Sequence, residues 1–198
     1  MNDEKLLQFY LNLRSSEAGP WNLSPENLYI ELEVRHHIRE LIYLHSRLNV
    51  CNIGIGTGEW DDYLGYILTG RGNITSVDID NHTCELFQYR QKIESHPNPS
   101  KVLCENILET SLNANSFDIV TIIGSTVREI GQYNRTLETC FKLLKPGGQF
   151  FYMDFEKNYP IDLFEQWAQN ANHEIETVIR LSRYEVVESF ITIARKGM

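Results

Sequence analysis

The sequence predicts an α/β protein: a mostly parallel sheet built from βαβ units and covered by helices. Three observations predict it. From residue 48 onward, short β-branched and aromatic runs alternate with longer stretches of helical periodicity. A turn with three alternate glycines, Gly54-Ile55-Gly56-Thr57-Gly58, joins the first of those runs to the first of those helices. The last third abandons the alternation for "ETVIRLSRYEVVESFITIARK", which reads as two strands joined by a short turn, an antiparallel pair at the sheet's edge.

The elements follow in order. "SPENLYIELEVRHHIRELIYLHSRL" is a helix introduced by Ser24 as cap and Pro25 at its first position. Residues 1–48 form a helical cap ahead of the first strand, free to cover a site, and residues 49–198 form the core of one domain. "LNVCNIG" is a buried strand, and "EWDDYLGYIL" a helix with Trp60, Leu64, Ile67 and Leu68 on one face. "NITSVDI", "CELFQYRQKIES" and "KVLCENI" read as strand, helix and strand, the last after the turn-rich "HPNPS". "FDIVTIIG" is the clearest strand. "NRTLETCFKLL" is a helix stopped by "KPGG", "QFFYMDF" a fifth strand, and "IDLFEQWAQNA" a further helix.

Composition removes several function classes. With 198 residues and 42% hydrophobic content, the chain suits one domain with one sizeable core. A net charge of -9 and no Lys/Arg cluster weigh against a nucleic-acid surface. No apolar run approaches the roughly 20 residues of a membrane span, and the charged opening "MNDEKLLQFYLNLRSSEAG" lacks the apolar centre of a secretory signal, so a cytoplasmic protein is expected, with neither nucleic acid nor membrane as partner. Cys51, Cys84, Cys104 and Cys140 show no metal or disulfide spacing and read as buried thiols; no metal is expected. A homodimer is compatible with the sequence.

Two stretches carry the chemistry. The glycine turn lets backbone approach a ligand closely, and the helix after it presents unpaired N–H donors. Glu59, Asp61 and Asp62 crowd that helix's first turn. They complement its dipole, oppose a diphosphate, and suit a ligand bearing positive charge. Roughly 20 residues on, Asp78 closes the second strand, where a carboxylate can accept both hydroxyls of a ribose. Asp80 is better explained as a helix cap.

Together these stretches, with "CENIL" closing the third strand, "FDIVTIIG" as the fourth and "LLKPGGQFFYMDF" leading into the fifth, resemble the class I S-adenosylmethionine-dependent methyltransferases over roughly residues 48 to 195. The resemblance implies a Rossmann-like three-layer sandwich with a seven-stranded, mostly parallel sheet whose last strand is inserted antiparallel. It implies S-adenosyl-L-methionine across the strands' carboxyl ends. Gly54, Gly56, Thr57 and Gly58 would line its methionine and ribose part, and Asp78 would hold the ribose. Ile79 and Ile107 would wall the adenine, Asn106 would meet its amino group through the carbonyl oxygen, and Gly124 would follow the fourth strand beside it. One position departs: Asn52 stands where the family usually has an acid that orients the turn, and Glu59, Asp61 and Asp62 are the candidates to compensate.

The acceptor is expected above the fourth and fifth strand ends, under the N-terminal helix. The candidates there are Tyr29, His36 and His37 from the helix, and Ser125, Arg128, Glu129, Tyr133 and Asp154 from the loops. Either histidine would serve as a base, with His37 on the side continuing toward Leu41 and Leu44, and Arg128 would clamp an anionic group of the acceptor. Trp21 reads as a lid aromatic or a core anchor. The expected activity is methyl transfer to an oxygen or nitrogen of a small molecule, with a biosynthetic pathway as the expected setting. The rivals are transfer or cyclisation of the cofactor's aminocarboxypropyl group with release of methylthioadenosine, and cofactor binding without turnover.

Overall fold

The computed structural model describes residues 1–12, 24–183 and 188–197. Numbered over those residues, the elements of the first half are α1 (Asp3–Asn12), α2 (Pro25–Tyr43), β1 (Leu48–Ile53), α3 (Glu59–Leu68), β2 (Gly72–Asp78), α4 (Asn81–Ile93) and β3 (Lys101–Cys104). A 3-10 turn at Ile107–Glu109 leads to β4 (Phe117–Ile123), α5 (Thr126–Ile130), α6 (Tyr133–Leu143), β5 (Leu144–Phe155), α7 (Ile161–Asn170), β6 (Glu174–Leu181) and β7 (Ser189–Arg195). Trp21 lies outside the described residues, as does part of the β6–β7 connection.

The seven strands form one sheet in the order β3-β2-β1-β4-β5-β7-β6. The first five are parallel, and β7 runs antiparallel to both β5 and β6. The expected terminal pair is present, with β7 inserted beside β5 and β6 left at the edge. Because strand order reverses between β1 and β4, the loops after these two strands diverge to opposite faces and leave a crevice at the carboxyl ends, where ligands of open α/β sheets bind.

Each sheet face has its own apolar layer. Ile53, Val77, Ile122, Phe150 and Tyr152 face α6 and α7, whereas Val50, Ile74, Ile119, Phe151 and Met153 face α2 and α3. The second face changes character along its length. Val50 is in register with Ile74 and Ile119, and two residues further on Asn52 is in register with Ser76 and Thr121. Period-two alternation thus stacks a polar row on an apolar one directly below the glycine turn.

Local signals explain most boundaries. The Ser24 hydroxyl accepts from the Asn27 amide and Pro25 opens α2; the Asp80 carboxylate accepts from the Thr83 amide at 2.6 Å and opens α4. Two boundaries differ from expectation. β3 stops at Cys104 because the Asn106 side chain accepts from the Leu108 amide and turns the chain into the 3-10 segment. β5 begins at Leu144, so "KPGG" lies inside the strand, beside an irregularity in its pairing with β4 between Phe117 and Ile119.

Candidate active site

Three cavities border the glycine turn at the carboxyl edge of the sheet, one at Gly54, one at Gly56 and Thr57, and one at Thr57. Gly54, Gly56 and Gly58 all have positive φ (87°, 54° and 76°), but for different reasons. A Cβ on Gly54 would collide with the Thr126 side chain, and one on Gly58 with the Phe87 ring and Arg90. These two glycines serve internal packing. A Cβ on Gly56 would meet nothing within 4 Å, and the same holds at Gly124. Gly56 lines a cavity of about 320 Å³ between α1 and α4, and Gly124 lines the large one over β4 and β5. Arg90 holds the turn from α4 by donating to the Thr57 carbonyl and pairing with Asp62.

The first cavity, about 250 Å³, is lined by Gly54, Asp78, Ile79, Asn106 and Ile107, together with Thr126, Glu129 and Gln132. Its dimensions and lining suit a nucleoside. Both Asp78 oxygens already accept backbone amides, Oδ2 from Ile55 at 2.8 Å and Oδ1 from Asp80 at 2.9 Å. These bonds fix the carboxylate plane, and each oxygen keeps a lone pair for a hydroxyl donor. Ile79 is 71% exposed although β-branched and apolar, and Ile107 across the cavity is 4% exposed. Asn106 reaches the cavity, with one lone pair of its carbonyl oxygen committed to the Leu108 amide at 3.0 Å. Glu129, expected beside the acceptor, lines this nucleoside-sized cavity instead.

Asn52 and Asp61 occupy the floor of the turn, and both are wholly buried. The Asn52 amide donates to the Gly54 carbonyl at 2.9 Å and to both Asp61 oxygens at 3.0 Å, while its own oxygen accepts from the Thr121 hydroxyl at 2.7 Å. Ser76 also donates to Asp61. Burial raises the Asp61 carboxyl to about 7, against the opposing pull of the Ser76 and Asn52 hydrogen bonds. Of the three acids in the first turn of α3, only Asp61 is bonded to Asn52; Asp62 pairs with Arg90, and Glu59 is exposed at the large cavity.

That large cavity, about 880 Å³, opens over β4 and β5 beneath α1 and α2. Its wall is predominantly apolar: Leu7 and Leu11 of α1, Leu28, Ile30 and Val34 of α2, Trp60 of α3, and Met153 and Phe155 of β5. Its polar groups are Tyr10, Asn27, Glu31, Arg35, Thr57 and Glu59. Asn27 donates to Glu31 at 2.8 Å, Glu31 pairs with Arg35 at 3.4 Å, and the Arg35 guanidinium lies over the Tyr63 ring. Thr57 and Gly124 line the same cavity and border the turn.

The expected acceptor-site residues are placed differently. The buried stripe of α2 is Ile30, Val34, Ile38, Leu41 and Ile42, while Leu44 is 78% exposed. His36 and His37 fall off this stripe and pair with Glu40 and Glu33 on the outer helix surface. Neither lines the cavity, so neither is positioned as its base. His36, His37 and Glu40 bring ligand-type atoms within 4.8 Å of one another, on that outer face. Tyr29 packs against the α2–α3 core with Arg183 over its ring, and Arg128 is exposed and donates to Asn158 at 3.2 Å; neither lines the cavity. Asp154 is buried, accepting from the Tyr152 hydroxyl at 2.6 Å and the Asn158 amide at 2.8 Å, while Asn158 also donates to Ser125. Tyr133 stacks on Tyr159. These groups brace the β5 end and leave the cavity wall apolar. Sequence reasoning missed Asn27, Glu31, Arg35 and Trp60. The α2 face could have been found from its Ile30–Val34–Ile38 spacing, which orients Asn27, Glu31 and Arg35 to one side of the stripe.

Among the described residues no helix is long and apolar enough to cross a membrane. Solved structures with the same architecture include an S-adenosylmethionine-dependent methyltransferase from Aquifex aeolicus (TM-score 0.71, 14% identity, covering 99% of both chains) and the [4+2]-cyclase SpnF (TM-score 0.72, 14% identity, covering 84% of this chain and 80% of that one). At such identity the likeness is one of fold. Among sequence relatives, the demethylmenaquinone methyltransferase of Listeria welshimeri is 26% identical over 125 residues, 63% of this chain and 52% of the relative. That of Oceanobacillus iheyensis is 29% identical over 104 residues, 52% of this chain and 42% of the relative. The chain spans about half the length of the relatives it matches. A sequence model of the ubiE/COQ5 methyltransferase family matches residues 30–180, from the cavity-lining stripe of α2 through the edge strand β6, and it is to this family that the chain belongs.

Proposed function

We propose that the chain is an S-adenosyl-L-methionine-dependent methyltransferase acting on a small, largely apolar acceptor. The single observation that carries the reading is that two cavities border the same glycine turn. A nucleoside-sized pocket with a fixed carboxylate at Asp78 reaches the turn at Gly54, and a predominantly apolar chamber reaches it at Thr57. The open space beyond a Gly56 Cβ fits a cofactor lying against that turn. When bound, the cofactor supplies an activated methyl group on a sulfonium, so the protein's task is chiefly alignment and exclusion of water.

The residues divide that task. Asp78 would accept the ribose hydroxyls, Ile79 and Ile107 would cover the adenine faces, and Asn106 would meet the adenine edge. Trp60, Met153 and Phe155 would seat the acceptor, and α1 would close the chamber from above. The acceptor atom is proposed to be an oxygen or nitrogen. The relatives are named for demethylmenaquinone, and an acceptor of that apolar kind is the first to test. Asn52 is the residue that on sequence favours a non-catalytic binding protein; its bond to the buried Asp61 carboxyl supports the catalytic reading instead.

The test is a screen of small-molecule acceptors with S-adenosylmethionine, reading both products by mass spectrometry. S-adenosylhomocysteine with a methylated acceptor supports the reading. Methylthioadenosine would replace it with aminocarboxypropyl chemistry, and tight cofactor binding with no product from quinone, phenol or amine acceptors would reduce the chain to a binding protein.

A further inference from the structure

Asp61 is tied to both cavities and to the surface by one hydrogen-bonded chain. Toward the cofactor turn, the Asn52 amide links it to the Gly54 carbonyl. Toward the acceptor chamber, the Asn52 oxygen accepts from Thr121, whose hydroxyl in turn accepts from the Trp60 indole N–H at 3.3 Å. Away from both, Ser76 contacts Asp61, Ser100 lies 2.5 Å from Ser76, and the half-buried Ser100 is 3.4 Å from the Ile74 carbonyl.

The hydroxyl pair can be satisfied in two ways. With Asp61 ionised, Ser100 donates to Ser76 and Ser76 donates to the carboxylate. When a proton reaches the Ser100 oxygen, Ser100 passes its original proton to Ser76 and Ser76 passes its own to Asp61. Every O–H then points the other way, Asp61 to Ser76, Ser76 to Ser100 and Ser100 to the Ile74 carbonyl. Each hydroxyl carries one proton throughout, and no buried donor is left unmet in either state.

Resting on the methyltransferase reading above, we propose that Asp61 is a positioning residue for cofactor turn and acceptor wall together, and that Ser76 and Ser100 are the relay that loads and unloads its proton. The ionised form holds the Asn52 amide more firmly and places a negative charge below a turn that receives a sulfonium cation. Cofactor binding and proton release are thereby linked. Burial, which lifts the carboxyl to about 7, brings the exchange into the neutral range. The other titratable groups facing Asp61 are the Cys51 thiol of β1, pushed well above its usual range by burial, and Asp62 of α3, matched by Arg90 of α4. His96, after α4, sits on the Asp62 carbonyl at 3.1 Å; β2 and β4 contribute the neutral Ser76 and Thr121.

The experiment is calorimetric titration of S-adenosylmethionine and of the uncharged-sulfur product S-adenosylhomocysteine from about pH 6 to about pH 8. The wild type should bind S-adenosylmethionine roughly fivefold more tightly at the upper end, with a smaller change for S-adenosylhomocysteine. Asp61→Asn should flatten the profile. Ser100→Ala, which deprives Ser76 of its acceptor when Asp61 is protonated, should move the midpoint to lower pH while thermal unfolding verifies that both variants are folded. His96→Gln should leave the profile intact. A profile that survives Asp61→Asn, or that follows His96→Gln, overturns the inference while leaving the methyltransferase reading standing. Failure of the wild type to bind either compound at any pH overturns that reading first.

Discussion

The Asn52 amide nitrogen lies 3.0 Å from each carboxylate oxygen of Asp61, so strand β1 and helix α3 share one buried carboxyl under the glycine turn. Its stability consequence has a definite sign. The folded-state value of about 7 lies above the ordinary 3.8, so between these two values the folded protein holds a proton that the unfolded chain has released. This contribution is full below the unfolded value and is lost as pH rises toward 7. Wild type should lose on the order of 2–4 kcal/mol across that window through this group, and Asp61→Asn should lose less. Denaturant titrations of both proteins at pH values bracketing the window check it; parallel profiles would remove Asp61 as the source.

The glycines of the turn should separate into two classes. Gly56→Val should abolish S-adenosylhomocysteine binding, since its side chain enters open space at the cavities, and should cost only about 1–2 kcal/mol for the positive φ. Gly54→Ala should instead destabilise the fold through its collision with Thr126. Thermal unfolding with and without S-adenosylhomocysteine distinguishes the two. Equal ligand-induced stabilisation of wild type and Gly56→Val would contradict the assignment.

Asp78 and Asp80 lie two residues apart and should behave differently. Asp78→Ala should weaken S-adenosylhomocysteine binding by about 1.5–3 kcal/mol, roughly tenfold to a few hundredfold. It also frees the Ile55 amide, so some loss of stability should accompany it. Asp80→Ala should lose the α4 cap at about 1 kcal/mol with little change in affinity. Calorimetry on the pair would reverse the assignment if Asp80 controlled affinity.

Replacing both His36 and His37 with alanine should leave acceptor turnover within about twofold, because their partners are surface carboxylates. Leu28→Trp, on the chamber wall and half exposed, should raise the acceptor KM while cofactor affinity stays constant. Turnover lost with the histidine pair and unchanged by the tryptophan would place the acceptor elsewhere.

The sheet was legible because parallel, doubly covered strands write themselves as continuous apolar runs, and "FDIVTIIG" and "NITSVDI" fall within a residue or two of β4 and β2. That Asp78, Ile79 and Asn106 share one cavity was legible for a related reason: all three lie at strand ends, where sequence position dictates spatial position. The acceptor chamber was not. Which side of α2 faces the sheet depends on one helical phase: of the two leucines toward which the sequence continues His37, Leu41 joins the buried stripe and Leu44 is exposed, and His37 itself falls beside the stripe. The partner of Asn52 was equally hidden, since nothing local tells Asp61 from Asp62; one points into the polar row of the sheet and the other to Arg90.

Along β5, Tyr152 and Asp154 belong to the face under α6 and α7, while Met153 and Phe155 floor the chamber. Pairing with β4 on one side and β7 on the other fixes this alternation. Substitution can therefore reshape the chamber floor one side chain at a time, but a single inserted or deleted codon between Gly148 and Phe155 would exchange the two faces, carrying a carboxylate into the apolar chamber and a phenylalanine into the polar brace. Diversification of acceptor preference along β5 must therefore proceed by replacement and not by change of length.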